Sequence, residues 1–187
     1  MNLNSVALQK ILPLLALRPD EGHTLTDLMK FSGLDSRAVW QVLEQLQIER
    51  SVMKNLYGPK TYSINPGYKF YSEIKIIAFR LLNLPERLQA DQIDPDLIIL
   101  YGSIFREVFR KESDIDLLVI GRDEEPIRKV LYDLSIQIGK TINFVFYTPK
   151  RFAELWNGHN SFIETVFSGP HTIITGSFDH LDLLGEL

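Results

Sequence analysis

Apolar positions in the first half of the chain recur with a helical period. Val6 to Leu17 is apolar-rich around Ile-Leu-Pro-Leu-Leu-Ala-Leu and predicts a core helix over residues 5–17. A second helix is expected over Thr24 to Phe31, anchored by Leu25 and Leu28. Thr24 or Thr26 is its candidate cap, since a hydroxyl accepts from the free N–H groups at a helix start. Ser32-Gly33-Leu34 reads as a turn and Asp35 as the cap of a third helix, Ser36 to Gln47. Within it Val39, Leu43 and Leu46 are spaced four and three, which places them on one buried face. Ile48 to Met53 leads into an extended stretch, Asn55 to Lys60 turns at Gly58 and Pro59, and Tyr62 and Ile64 alternate on a returning strand. Phe70, Ile74, Ile77 and Leu81 then predict an amphipathic helix.

Further along, the pattern changes. Leu97 to Tyr101 is a short apolar run, readable as a buried strand, and Gly102-Ser103 breaks it. Ile115 to Ile120 and Thr141 to Tyr147 read as strands, as does His171 to Thr175 before Gly176. Pro126 to Gly139 is helical, with Ile127, Val130, Leu131, Leu134 and Ile138 on one side; Phe152 to Trp156 and Ser161 to Phe167 are shorter helices. The boundary between the two patterns falls near residues 84–96, where Leu84-Pro85 and Asp91 to Asp96 interrupt the periodicity. Three modules follow: a winged helix-turn-helix over 1–68, connecting helices over 69–93, and a domain of mixed sheet with flanking helices over 94–187. The fold class is α/β (α+β).

Composition narrows the function classes. The 187 residues include no cysteine, which excludes disulfides and thiolate metal sites and fits a cytoplasmic setting. The apolar start does not read as a signal peptide: Lys10 lies inside it, Pro13 interrupts it and Arg-Pro-Asp-Glu-Gly follows. It also falls short of the roughly 20 apolar residues that span a bilayer, so no membrane partner is expected. The net charge of −4 is unevenly spread: residues 1–90 sum to +3 and residues 91–187 to −7. A mildly basic front half tolerates a polyanion, whereas an acidic back half needs cations if it handles phosphates.

Candidate chemistry concentrates between Leu100 and Gly121. A strand ends in Gly102-Ser103, and ten residues later comes Asp114-Ile115-Asp116, read as lying on the next strand. Side chains two apart on a strand share a face, about 6.5 to 7 Å apart along the backbone. Two carboxylates so placed are tolerable with a cation between them, and Mg²⁺ takes carboxylate and phosphate oxygens. Gly102 lets the backbone approach a ligand. Ser103 is expected to open a helix whose free N–H groups hold a phosphate, with Arg106 one turn on adding a charged contact and Ser113 a further polar one. The histidines (His23, His159, His171 and His180) are not paired at metal-ligand spacing and read as surface or local polar groups, and no Walker-type loop is present.

Gly102-Ser103 followed by Asp114-Ile115-Asp116 resembles the core motif of the minimal nucleotidyltransferases within the DNA polymerase beta superfamily. The resemblance extends over Tyr62 to Lys75 and Ile142 to Phe152, and the whole chain is similar to prokaryotic proteins that join an ArsR-like winged helix to this domain. It implies a nucleotidyltransferase fold, Mg²⁺ or Mn²⁺ at Asp114 and Asp116, and a nucleoside triphosphate as ligand or substrate, held by Gly102, Ser103, Arg106 and Ser113. Two departures matter. The family loop reads Gly-Ser-x-Ala-Arg-Gly, and here Phe105 and Glu107 replace the Ala and last Gly; Glu107 adds negative charge near the phosphate. Active members carry a third acid on the next central strand, and the matching residue here is Asn143, which cannot act as a base. Asp133 and Glu154 are alternative acids, but both read as solvent-facing. Members also pair with a small helical partner protein, which makes an antitoxin-like role a further expectation.

In a winged helix the second helix of the motif enters the major groove of double-stranded DNA. Ser36, Arg37, Trp40 and Gln41 lie opposite the Val39 face; Arg37 suits guanine and Gln41 adenine, while Lys54 and Lys60 flank the wing tip near phosphates. The alternative is that this unit contacts protein, with Trp40 packing on a partner. A homodimer through the first helix and the helix at 70–82 would supply two half-sites. The expected function is a DNA-binding transcriptional regulator whose second domain binds Mg-nucleotide, catalysis weak or lost. The alternative is an active nucleotidyltransferase acting on a protein, RNA or small-molecule hydroxyl.

Overall fold

The computed structural model describes residues 2–55, 57–106, 109–110, 112–178 and 181. The chain divides into two compact units. The first comprises Met1–Leu82 together with Arg106–Ser113; the second comprises Asn83–Phe105 and Asp114–Leu187.

In the first unit each helix begins where a side chain can satisfy its free N–H groups. Ser5 caps α1 (Val6–Leu17), and Thr24, not Thr26, caps α2 (Leu25–Ser32) in a reciprocal box with Asp27. Asp35 caps α3 (Ser36–Ile48) by accepting from the Ala38 N–H at 2.8 Å. Loss of such a cap costs about 1 kcal/mol. Gly33 ends α2 in the left-handed conformation (φ 68°), which costs an L side chain energy and glycine little. Pro13, expected to interrupt the first apolar run, sits inside α1, where all residues from Ile11 to Leu17 are buried. Strands β1 (Val52–Asn55) and β2 (Thr61–Ile64) pair antiparallel, with Tyr62 and Ile64 buried as their alternation predicts. His23 adds a bridge to Tyr62 through reciprocal backbone bonds of 2.9 and 2.8 Å. Its ring is buried rather than at the surface, with Nε2 lacking a hydrogen-bond partner among the described residues.

The last helix of this unit, α4 (Tyr71–Arg80), presents a different face from the one its apolar spacing suggests. Phe70 is exposed and Ile77 and Leu81 are half-buried, while Tyr71, Ile74, Lys75, Ala78 and Phe79 are buried. The face includes a lysine, and a lysine cannot be scored as apolar from sequence.

The second unit opens with α5 (Leu84–Ala90). Leu84-Pro85, which breaks the apolar periodicity, starts this helix, because the first turn tolerates a residue without an N–H. Four strands then form one sheet: β3 (Leu97–Tyr101), β4 (Ile115–Ile120), β5 (Ile142–Tyr147) and β6 (His171–Gly176), in the order β5-β4-β3-β6. The β4–β5 pair is parallel and the other two are antiparallel, so this is a mixed sheet. Helix α6 (Glu124–Ile138) buries the five apolar residues its pattern singles out. Its Arg128 lies over Phe144, on one face of the sheet. On the other face Phe152 of α7 (Pro149–Asn157) and Ile163 and Val166 of α8 (Ser161–Ser168) pack with Leu97, Ile99, Leu118 and Ile120. The chain is a mixed α/β protein with helices at its N-terminal side and a four-stranded mixed sheet beyond, as the sequence predicts. Among the described residues no helix is long and apolar enough to cross a membrane.

Candidate metal and nucleotide site

Strand register decides which polar residues meet. Tyr101 at the end of β3 pairs with Asp116 on β4, and Asp116 pairs with Asn143 on β5; on the other side Tyr101 pairs with His171 on β6. Directly paired residues share a face, so His171, Tyr101, Asp116 and Asn143 form one row across the sheet. The row lies on the side of α7 and α8, since it has the parity of Ile99 and Leu118. Asp114 is not on the strand, as expected, but immediately before it: β4 begins at Ile115, whose N–H donates to the Thr141 carbonyl.

The two ends of the Gly-Ser to Asp-x-Asp segment are tied together. Ser103 donates its hydroxyl hydrogen to the Asp114 backbone carbonyl at 2.7 Å. The segment after β3 is not the helix expected from Ser103 but one short 3-10 turn, Gly102–Phe105. Four residues cannot present the array of free N–H groups that a longer helix offers to a phosphate. Gly102 has φ +80°, and a Cβ there would lie 2.5 Å from Asp116 Oδ2. The carboxylate of Asp116 therefore rests against the glycine backbone, where a Cβ would push it aside and the positive φ would strain an L residue.

Asn143 stands beside the first aspartate: its Nδ2 donates to Asp114 Oδ2 at 2.9 Å. An acid at this position would bring a second negative charge there; the amide supplies a hydrogen instead and leaves its carbonyl oxygen as a neutral metal ligand. Tyr101 is half-buried, packed edge-on to Phe162 at 6.0 Å. Burial, then the charge of Asp116, then Tyr147 push its hydroxyl up to about 12. It stays protonated at neutral pH as a hydrogen-bond donor beside the carboxylates. His171 packs on Phe167 at 5.2 Å and places Nδ1 2.9 Å from the Gly169 carbonyl. A carbonyl only accepts, so Nδ1 carries the hydrogen in this contact. Neither Tyr101 nor His171 stood out in the sequence; only the pairing of β3 with β6 puts them in the row.

The oxygen donors suit a hard divalent cation. Two carboxylates and an amide converge at one end of the sheet, and Mg²⁺ binds through one or two carboxylates while nucleotide phosphates and water complete its shell. Among the described residues no group of three or more His, Cys, Asp or Glu could hold a metal by protein ligands alone. The cradle at Gly102 and the Asn143–Asp114 bond show two carboxylates supported at close quarters, and the residues fit such an ion.

Other candidates are not members of this row. Ser113 accepts from the Arg110 N–H at 3.0 Å, and Arg106 is exposed; both lie in the segment counted with the first unit. Asp133 is exposed, and Glu154 is exposed and paired with Arg151 at 2.9 Å, as solvent-facing acids should be. Glu107 and His180 lie outside the described residues. His159 pairs with Glu164 at the surface. In the first unit Ser36, Arg37 and Gln41 are exposed on α3, and Lys60 is exposed beside the hairpin turn. Trp40, expected to face DNA, lies edge-on to Tyr62 at 6.4 Å with the Lys54 ammonium 5.7 Å from its ring centre. It is 44% exposed, so part of its surface seals α3 onto the hairpin.

Residues 84–170 match the sequence model of the family described as Polymerase beta, Nucleotidyltransferase. The match begins at α5 and stops one residue short of β6, so it takes in every residue of the row except His171. No curated protein and no solved structure matches the chain.

Proposed function

We propose that this chain is a DNA-binding regulator whose second unit binds a nucleoside triphosphate with Mg²⁺ or Mn²⁺, catalysis being weak or lost. The observation that carries the reading is the pair of supported carboxylates: Asp116 cradled on Gly102, and Asp114 held by Asn143 where active relatives of the resembled family have an acid. The bound ion would supply Lewis-acid polarisation of a phosphoryl oxygen. Asp114 and Asp116 hold the ion, with the Asn143 carbonyl as a neutral supplement. Gly102 lets the phosphates come close to the main chain, while Ser103, Arg106 and Ser113 are the polar groups assigned to them. Asn143 takes no proton from an attacking hydroxyl, which is why turnover is expected to be slow. Equilibrium dialysis with labelled ATP, with and without Mg²⁺, tests this: metal-dependent retention supports it, and no retention under either condition sinks it.

The regulatory half of the proposal rests on the three capped helices and hairpin, the element order of a winged helix, with Ser36, Arg37 and Gln41 exposed on α3. Lys54 and Lys60 are assigned to DNA phosphates, and Trp40 contributes only its exposed part. α1 and α4 pack on each other within the unit, which leaves Val6 and Phe70 as their main exposed apolar groups for the proposed homodimer contact. Fluorescence anisotropy with a labelled duplex library at two salt concentrations tests the DNA reading; an absence of salt-dependent binding to any duplex contradicts it.

A second reading, an active nucleotidyltransferase, is favoured by the family match over residues 84–170. It predicts pyrophosphate release on addition of a protein, RNA or small-molecule hydroxyl acceptor, abolished by Asp114→Ala. A third reading is an antitoxin-like protein that binds a small helical partner, and co-purification from the source cell tests it.

A further inference from the structure

Helix α6 of the second unit buries one face and leaves the opposite one in water, where Arg128, Lys129, Tyr132, Asp133 and Ile136 are exposed. Tyr132 is 66% exposed and Ile136 62%, and they lie one turn apart. Among the described residues α6 is the one helix that shows two large apolar side chains to solvent at that spacing. A single exposed apolar residue is ordinary on a surface, whereas two aligned on one face form a contact patch. The edges of the face are already engaged. Arg128 pairs with Glu124 and lies over Phe144 at 5.0 Å, and Gln137 accepts from Arg87 at 2.7 Å. Lys129 and Asp133 are opposite charges four residues apart, yet among the described residues they form no ion pair. A lysine that precedes its acid is the weaker order along a helix. Arg128 and Glu124 have the stronger order and do close.

A second copy of α6 accounts for the apolar pair and the unmatched charges together. When two such helices run antiparallel about a two-fold axis, setting Lys129 against Asp133 of the second copy also sets Asp133 against its Lys129, because the contact is self-complementary. That register puts the axis level with residue 131. Tyr132 then lies about 1.5 Å along the helix from the axis and meets its own copy, and Ile136 comes beside Glu125 of the second copy. At helical spacing Lys129 and Asp133 fall on the same side of the Tyr132–Ile136 stripe, and an antiparallel pair brings like sides together. A parallel pair sets Lys129 level with Lys129 and leaves the charges unmatched. We propose that the outward face of α6 docks a second copy of this chain, antiparallel, through Tyr132, Ile136 and two Lys129–Asp133 ion pairs. The surface is distinct from the α1 and α4 contact of the first unit and does not depend on the nucleotide reading. A helix of 15 residues is about 22 Å long and buries well under the roughly 800 Å² per partner of a stable dimer, so the contact is weak and reversible.

The chain has no cysteine, so an introduced one reports its own surroundings. Full-length Tyr132→Cys is expected to form a disulfide-linked dimer under mild oxidation. Glu154→Cys, exposed on α7, measures random collision. An equal mixture of Glu125→Cys and Ile136→Cys chains keeps both tyrosines; the mixture is expected to crosslink, and neither variant alone. In the Tyr132→Cys chain, Lys129→Asp or Asp133→Lys should slow crosslinking about tenfold. Mixing those two variants should restore the rate, since one chain then carries two carboxylates and the other two ammonium groups. Every substituted site is exposed, so the melting temperature should hold throughout. If Tyr132→Cys and the Glu125→Cys with Ile136→Cys mixture crosslink no faster than Glu154→Cys, the docking surface is overturned. A crosslinking rate indifferent to the charge variants overturns the antiparallel pairing.

Discussion

The outward face of α3 and the end of the β5-β4-β3-β6 sheet are both polar, but they are built differently. On α3, Ser36, Arg37 and Gln41 project from successive turns into solvent. At the sheet end the polar groups support one another: Ser103 bonds the Asp114 carbonyl, Asn143 bonds the Asp114 carboxylate, and Asp116 rests on Gly102. Groups fixed before a ligand arrives need little reorganisation to bind it, whereas a free helix face orders its side chains only on contact. The difference teaches where substitutions should be felt. One change at the sheet end should disturb several residues, and one change on α3 should remove little beyond its own contact.

The strongest break in that comparison is Gly102→Ala. Its methyl would press on the Asp116 carboxylate at a left-handed backbone position, costing about 2 kcal/mol and abolishing Mg-nucleotide binding. Chemical denaturation and nucleotide titration of one sample check both. Arg37→Ala, by contrast, should leave melting and nucleotide binding untouched and weaken duplex binding alone.

Asn143→Asp sharpens the comparison in the opposite sense. It replaces a donor to Asp114 with a like charge, so the metal-free protein should lose about 1 kcal/mol. Mg²⁺ affinity should rise about tenfold with the added ligand charge. Melting curves with and without Mg²⁺ read both changes, and destabilisation that Mg²⁺ does not reverse would contradict the role given to Asn143.

In the first unit a smaller, pH-dependent effect comes from His23. Burial, then the charge of Arg18, holds its pKa below the usual 6.5. Between that lowered value and 6.5 the unfolded chain binds the proton and the folded chain does not. Stability is therefore full above about pH 6.5 and declines as the pH falls towards the folded-state pKa. Trp40 fluorescence in a Trp156→Phe background should show the decline, and His23→Gln should remove it. The smallest effect expected is from Tyr71→Phe: the Tyr71 hydroxyl is buried without a hydrogen-bond partner among the described residues, and deleting it should stabilise by up to about 1 kcal/mol while keeping the ring under Lys75.

What the sequence reveals follows the range of the physics involved. Caps at Thr24 and Asp35, the Val39-Leu43-Leu46 face, the four strands and the five buried residues of α6 depend on neighbours a few positions away, and all were readable. The aspartate pair and its glycine were readable because motif spacing encodes them. Asn143 next to Asp114 followed only from the family resemblance, and the register of β4 with β5 bears the neighbourhood out. Tyr101 and His171 were missed because strand order is a long-range fact. Lys75 was missed because its burial depends on a segment distant in sequence, and the face of α4 was misread for the same reason.

The most direct test of the central claim is calorimetric titration of ATP, GTP, CTP and UTP, each with Mg²⁺, into the wild type and Asp114→Ala/Asp116→Ala. The account predicts metal-dependent binding of at least one nucleotide to the wild type and none to the double variant, with the melting temperature of the metal-free protein little changed. Equal binding by both proteins, or no binding by the wild type, would contradict it.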